Sequence, residues 1–138
     1  TKISIYFSWL LAKLILDDEV IDDDFVFVMG CNTIHTGKGM RIAPHSKFDD
    51  GKIDLVIVRR TSKIELLKLF PKLFSGEHIK SPLVEYRQVE KFSVIPIEES
   101  SLNIDGELIG STPIDVTMQS KTIDVLVWIK GDYPYDER

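Results

Sequence analysis

Apolar and polar positions alternate on two different periods along this chain, and the switches between them predict a helix, two strands, a second helix and then a run of strands. From Ile3 to Leu16 the apolar residues Ile3, Phe7, Leu10, Leu11, Leu14 and Ile15 recur at helical spacing, which predicts an amphipathic helix that must pack on a neighbour. The runs Asp17-Asp18-Glu19 and Asp22-Asp23-Asp24 are too charged for a core and predict a solvated turn. Phe25 to Met29 is a short, wholly apolar run ending at Gly30, as expected of a strand buried on both faces. Cys31 to Gly51 reads as loop, punctuated by Gly37, Gly39, Pro44 and Gly51, and Ile53 to Val58 reads as a second strand.

Ser62 followed by Glu65 has the spacing of a capping box, so a helix should begin at Ser62. Its apolar stripe is Leu66, Leu67, Phe70, Leu73 and Phe74; Pro71 should kink or break it and Gly76 should stop it. Everything from Leu83 onward is strand-like: Val84 to Pro96, Leu102 to Ile104, Glu107 to Ile109, Ile114 to Met118 and Ile123 to Ile129. Asp105-Gly106 between two such runs is the strongest short hairpin signal in the chain. The expected fold class is α+β and mainly β, an antiparallel sandwich or open barrel with two flanking helices.

Composition narrows the function without naming it. The 138 residues are 43% apolar, enough for one domain with a substantial core. A net charge of −5 argues against a general nucleic-acid binder, which needs a basic face for phosphates. The charge is uneven, however. Lys38 to Lys63 holds seven basic residues against three acidic ones, leaving ten basic and nineteen acidic residues elsewhere. Such a region suits an anionic group or an anionic membrane surface, and equally a solvated face.

Cys31 is the sole cysteine, which rules out an intrachain disulfide and a thiolate cluster and fits a reducing compartment. The apolar stretch at the start is too short and too interrupted to span a bilayer, and it lacks a signal-peptide cleavage site. A cytoplasmic protein peripheral to membranes is therefore expected. The chain opens on Thr1, directly in patterned sequence, and is expected to be one piece of a longer protein.

Candidate chemistry is sparse when each motif stands alone. Thr36-Gly37-Lys38-Gly39-Met40 suggests a phosphate loop, but Gly30 lies seven residues before Gly37 and Gly39 occupies the place of the magnesium-binding Ser or Thr. What survives is a loop able to turn tightly, with Lys38 and Arg41 beside it. Asp49-Asp50-Gly51 combines carboxylates with a turn, a combination that hard cations accept and that ordinary turns also use. His35, His45 and His78 show no metal-ligand spacing and read as surface or hydrogen-bonding residues. No serine has the flanks of a nucleophile elbow, and Cys31 at a strand end reads as buried.

The order of these weak signals is more informative than any one of them. The apolar strand with Asn32, the loop from Thr36 to Pro44, the run Asp50 to Val58, the helix Leu66 to Phe70 with Gly76-Glu77-His78, and finally Asp105-Gly106-Glu107 resemble the second domain of the diacylglycerol kinase, sphingosine kinase and ceramide kinase superfamily. The match runs from about Phe25 to Val127, and Asn32 to Pro44 with Val58-Arg59-Arg60 looks closest to the sphingoid-base branch.

The resemblance implies a two-domain lipid kinase whose ATP, with Mg2+, is bound mainly by an N-terminal domain through a Gly-Gly-Asp-Gly-type loop. No such loop stands in this chain, so the fragment alone should be inactive. Glu107 matches the proton acceptor for the lipid hydroxyl and Asp105 its partner, while Asp50 matches a magnesium ligand joined by backbone carbonyls of Lys47 and Lys52. Lys38 and Arg41 are the expected contacts to the nucleotide phosphates. Phe7, Leu10, Leu14, Leu66, Phe70 and Phe74 are candidates for the lipid pocket, with the Ile3–Leu16 helix as its lid, although core packing accounts equally well for each. Two rival readings remain: a non-catalytic lipid-binding or membrane-docking module, and a relative acting on a soluble phosphate compound.

Overall fold

The computed structural model describes the backbone of residues 3–119 and the side chains of residues 11–119. Among the described residues eight strands form one antiparallel sheet: β1 (Ile3–Leu16), β2 (Glu19–Cys31), β3 (Ile53–Arg59), β4 (Val84–Val89), β5 (Lys91–Pro96), β6 (Ser101–Ile104), β7 (Glu107–Ser111) and β8 (Ile114–Thr117). The order is β4-β3-β2-β1-β5-β8, with β6 on β1 and β7 on β6. Two short helices, α1 (Lys63–Leu69) and α2 (Lys72–Ser75), and a 3-10 turn at Glu77–Lys80 lie between β3 and β4. The expected α+β, mainly antiparallel architecture holds as an open, folded sheet. The expected strand at Ile123 to Ile129 lies outside the described residues.

One element differs from expectation, and the difference matters. Ile3–Leu16 is the strand β1 and not a helix. Ala12, Leu14 and Leu16 are buried while Leu11 and Lys13 are exposed, so the operative period is two. A segment this rich in Leu and Ile satisfies both templates, and eleven paired positions with β2 decide for the strand. The acidic run is corrected with it. Only Asp17-Asp18 turns, with Asp17 at φ +53° and its Oδ1 accepting from the amides of Glu90 and Lys91 at 3.0 and 3.1 Å. Asp22 to Asp24 lie inside β2, where Asp23 pairs with Arg59 and Asp24 with Arg60.

The sheet folds on itself where its register slips. Tyr6 opposes Phe27 and Leu10 opposes Phe25, so β1 carries two residues more than β2 across this step. At the same level Phe25 and Phe27 oppose Arg59 and Val58, one extra residue on β2. Bulges bend strands, and both lie where β1 leaves β6 for β5. The bend lets Leu14, Leu16, Phe92 and Val94 face Ile53, Leu55, Ile57 and Val89 in one closed apolar core. Gly30 belongs to this core because a Cβ there would stand 3.0 Å from the Phe92 ring.

The other face of β3 packs differently. Met29, Cys31, Val56 and Val58 meet Ile42 and Ala43 of the loop, Leu69 of α1 and Val84. Ser62 caps α1 as expected, its Oγ accepting from the Glu65 amide at 3.3 Å. The helix is interrupted at Pro71, and Gly76 closes α2 in the left-handed region at φ +79°.

Candidate functional site

Strand pairing sets the site, because one cross-strand row ties together segments far apart in sequence. Glu107 opposes Ile104, Ile104 opposes Ile3, Ile3 opposes Gly30, Gly30 opposes Leu55, and Leu55 opposes Arg87. Just beyond this row β2 ends at Cys31, β3 begins at Ile53, and β6 turns at Asp105-Gly106. The Asn32–Lys52 loop and the Asp105-Gly106-Glu107 turn therefore leave the same end of the sheet. These motifs lie some seventy residues apart in the chain.

Each is held by local chemistry. Asp105 and Gly106, at φ +51° and +91°, have the two positive angles of a type I′ hairpin, and the Gly106 amide donates to Asn103 Oδ1 at 2.9 Å. Glu107 and Asp105 are both exposed. In the loop, Thr36 and Met40 exchange backbone bonds of 2.9 and 3.2 Å, and this presents Lys38 at a tip between Gly37 (φ +54°) and Gly39 (φ +90°). The Arg41 amide donates to the Leu73 carbonyl at 2.8 Å, tying the loop to α2 and leaving the Arg41 side chain exposed.

Asp50 forms a turn in which Oδ1 accepts from the Lys52 amide at 3.0 Å, and Lys47 and Lys52 are exposed. No group of three or more His, Cys, Asp or Glu converges to hold a metal among the described residues. A cation at Asp50 would thus rest on one further carboxylate oxygen, on backbone carbonyls such as those of Lys47 and Lys52, and on water. Magnesium accepts that donor set because it keeps several waters.

Beneath the helices lies an apolar cleft of about 210 Å³, walled by Val26, Phe27, Val56 and Val58 of the sheet and by Leu66, Leu69, Phe70 and Leu73 above. Leu66 and Phe70, expected in a lipid pocket, line it. Phe74 does not; it stands half-exposed outside, its ring edge-on to Phe70 with centroids 5.8 Å apart. Leu14 is corrected outright: it is fully buried in the closed core between the folded halves of the sheet, because β1 is a central strand and no lid. The side chains of Phe7 and Leu10 lie outside those described.

The cleft and Glu107 are not brought together. From Gly30 to Glu107 is three strand spacings, roughly 14 Å, and from Gly30 to Phe27 in the cleft wall is three residues, about 10 Å along β2. Row-mates share a face, so Glu107 belongs with Leu55 on the closed-core side, while the cleft lies on the helix side with Val56 and Val58.

Two buried polar residues escaped sequence reasoning. His78 reads as an ordinary polar residue, yet it is 1% exposed and lines the cleft. Its Nε2 lies 2.8 Å from the Ile42 carbonyl, to which a proton on Nε2 donates. Burial pushes this imidazole below its ordinary 6.5, partly opposed by hydrogen bonds to the Ile42 and Lys72 backbone. Asp54 is 0% exposed in the middle of β3. Its Oδ2 accepts from the Tyr86 hydroxyl and from Gln88 Nε2 at 3.1 Å, while Oδ1 is buried without a partner.

Burial, and then the Asp54 carboxylate, raise the Tyr86 phenol far above its usual range. Tyr86 also accepts from the His45 amide at 3.3 Å, so this network pins the Asn32–Lys52 loop onto the sheet. The signal in sequence was a lone acid in Ile53-Asp54-Leu55-Val56-Ile57-Val58, where alternation into a second buried face leaves no solvent for it.

Residues 5–127 match the family described as the YegS C-terminal NAD kinase beta sandwich-like domain. This chain belongs to that family. Diacylglycerol kinase of Staphylococcus saprophyticus is 34% identical over 98 residues, 70% of this chain and 32% of its own length. That of Staphylococcus haemolyticus is 30% identical over 110 residues, 79% of this chain and 33% of its own. The chain thus spans about a third of these curated relatives.

A crystal structure of a diacylglycerol kinase from Bacillus anthracis strain Sterne superposes with a TM-score of 0.67 at 18% identity, covering 86% of this chain and 46% of that one, and shows a shared fold. The superfamily resemblance read from the residues thus agrees with the family match. These names point to diacylglycerol kinases and do not single out a sphingoid-base branch. No helix among the described residues is long and apolar enough to cross a membrane.

Proposed function

We propose that this domain is the C-terminal, lipid-holding half of an ATP-dependent kinase that phosphorylates a lipid primary hydroxyl. The observation that supports it most is the common sheet end from which the Gly37-Lys38-Gly39 loop, Asp50-Gly51 and Asp105-Gly106-Glu107 all emerge. Phosphoryl transfer depends chiefly on positioning and on neutralising the oxygens of the transferred group. ATP and its Mg2+ supply that group and charge, bound mainly by sequence beyond this chain. The parts this domain contributes are a carboxylate, two cations and an apolar cleft.

Glu107 accepts the proton of the attacking hydroxyl from the β6–β7 hairpin, and Asp105 at the turn orients it. Lys38 and Arg41 approach the nucleotide phosphates, and Asp50 with the Lys47 and Lys52 carbonyls offers a site for a cation. Leu66 and Phe70 hold part of the acyl chain. Diacylglycerol is favoured by the names of the relatives, and a sphingoid base by the run from Asn32 to Pro44.

The test is phosphate transfer from labelled ATP by the full-length protein to diacylglycerol and to sphingosine in mixed micelles. Glu107→Gln should lower turnover on the preferred lipid by about 10²–10⁴-fold with little change in KM. Unchanged turnover removes Glu107 as the base. A second reading, a lipid-binding module without chemistry, draws on the distance between Glu107 and the cleft; it predicts lipid binding without phosphate transfer by the wild-type protein.

A further inference from the structure

α1 carries apolar side chains on two faces, with Lys63, Glu65 and Lys68 between them. Leu66 and Leu69 face the cleft and core, while Ile64 and Leu67 on the outer side are 67% and 74% exposed. Phe70 and Phe74 continue the outer face at 53% and 49% exposure, stacked edge to face. An exposed patch of four large apolar side chains on one face marks a docking surface.

Charge identifies what would cover it. Residues 63–80 carry Lys63, Lys68, Lys72 and Lys80 against Glu65 and Glu77, a net charge of +2 in a chain whose total is −5, while Arg59 and Arg60 just before them are paired with Asp23, Glu85 and Asp24. Lys68 and Lys80 engage Glu65 and Glu77 within the segment. Lys63 and Lys72 are exposed beside the apolar residues. Large apolar side chains ringed by lysines on an otherwise acidic protein complement an anionic lipid surface, where the apolar groups enter the acyl boundary and the ammonium groups stay at the headgroups. The same face adjoins the apolar cleft, since Phe70 belongs to both.

We infer that the outer face of α1 and α2, formed by Ile64, Leu67, Phe70 and Phe74 with Lys63 and Lys72, is a docking surface for an anionic bilayer. It deepens the lipid-kinase reading, resting on it only for the purpose of docking, since the geometry stands without the chemistry. The experiment is co-sedimentation of the full-length protein with phosphatidylcholine vesicles, with and without phosphatidylglycerol, in the absence of ATP and diacylglycerol.

Binding should require phosphatidylglycerol, weaken with added salt, and fall about tenfold or more in Leu67→Glu, while Ile97→Glu, an equally exposed apolar position off this face, binds as wild type. Circular dichroism should show Leu67→Glu folded. If it is not, Lys63→Glu with Lys72→Glu should remove the phosphatidylglycerol dependence instead. Vesicle binding that is absent, or indifferent to both variants, overturns the inference. So does a Leu67→Glu protein that changes only from dimer to monomer, or only loses stability, for then a second copy or another part of the protein covers the face. Because no substrate is present, failure here leaves the Glu107 assignment standing, and the converse holds.

Discussion

The two faces of β3 show how one strand can serve two purposes. Toward the folded half of the sheet it presents Ile53, Leu55 and Ile57 to a core that is apolar throughout and closed. Toward the helices it presents Asp54, Val56 and Val58 to a layer that contains a cleft, a buried carboxylate and a buried histidine. The first face buries only apolar side chains from β3. The second leaves Asp54 Oδ1 buried without a hydrogen bond. Such a group costs stability, so the helix side is the less completely satisfied of the two.

Substitutions on the two faces should therefore differ in kind. The largest loss of stability is expected from Leu55→Ala, about 3 kcal/mol in urea unfolding, since the closed core cannot collapse around the hole. A loss below about 1 kcal/mol would show that this side is as loosely packed as the other.

Asp54→Ala should cost about 2 kcal/mol, because it strands the Tyr86 hydroxyl and the Gln88 amide. It should also raise amide hydrogen exchange in the Asn32–Lys52 loop, which Leu55→Ala should affect only through global unfolding. Equal protection in the two variants would separate the network from the loop.

His78 gives the difference a pH signature. Its folded pKa lies below the unfolded value of 6.5, so its neutral burial is fully favourable above that pH, and stability is lost as pH falls from there through the folded pKa. His78→Gln should flatten this acid limb in melts run across that window, and an unaltered slope would assign the limb to other groups. The smallest effect, about 1 kcal/mol, is expected for Ser62→Ala at the α1 cap, read as a shift in the urea midpoint at unchanged slope.

Legibility in the sequence followed the same division. β3, the Ser62 cap, the break at Pro71 and the Asp105-Gly106 hairpin were all readable, because each depends on residues within a few positions of one another. Ile3–Leu16 was not, since a run dense in Leu and Ile fits both periods until a partner strand selects one. Leu14 moved from lid to core for the same reason. The candidate site was legible as an order of motifs. That they share one end of the sheet, and that Glu107 stands apart from the cleft holding Leu66 and Phe70, was not.

What the sequence determined by itself was local: turn chemistry at Asp17, Asp50 and Asp105, helix limits at Ser62 and Gly76, and the order of motifs that marks the family. Tertiary structure decided the rest. Only pairing between distant strands sets which residues share a row, and only packing across two faces buries Asp54 and His78. The His78–Ile42 and Asp54–Tyr86 contacts join positions 36 and 32 residues apart, and Ile3 pairs with Ile104, beyond the reach of any local pattern.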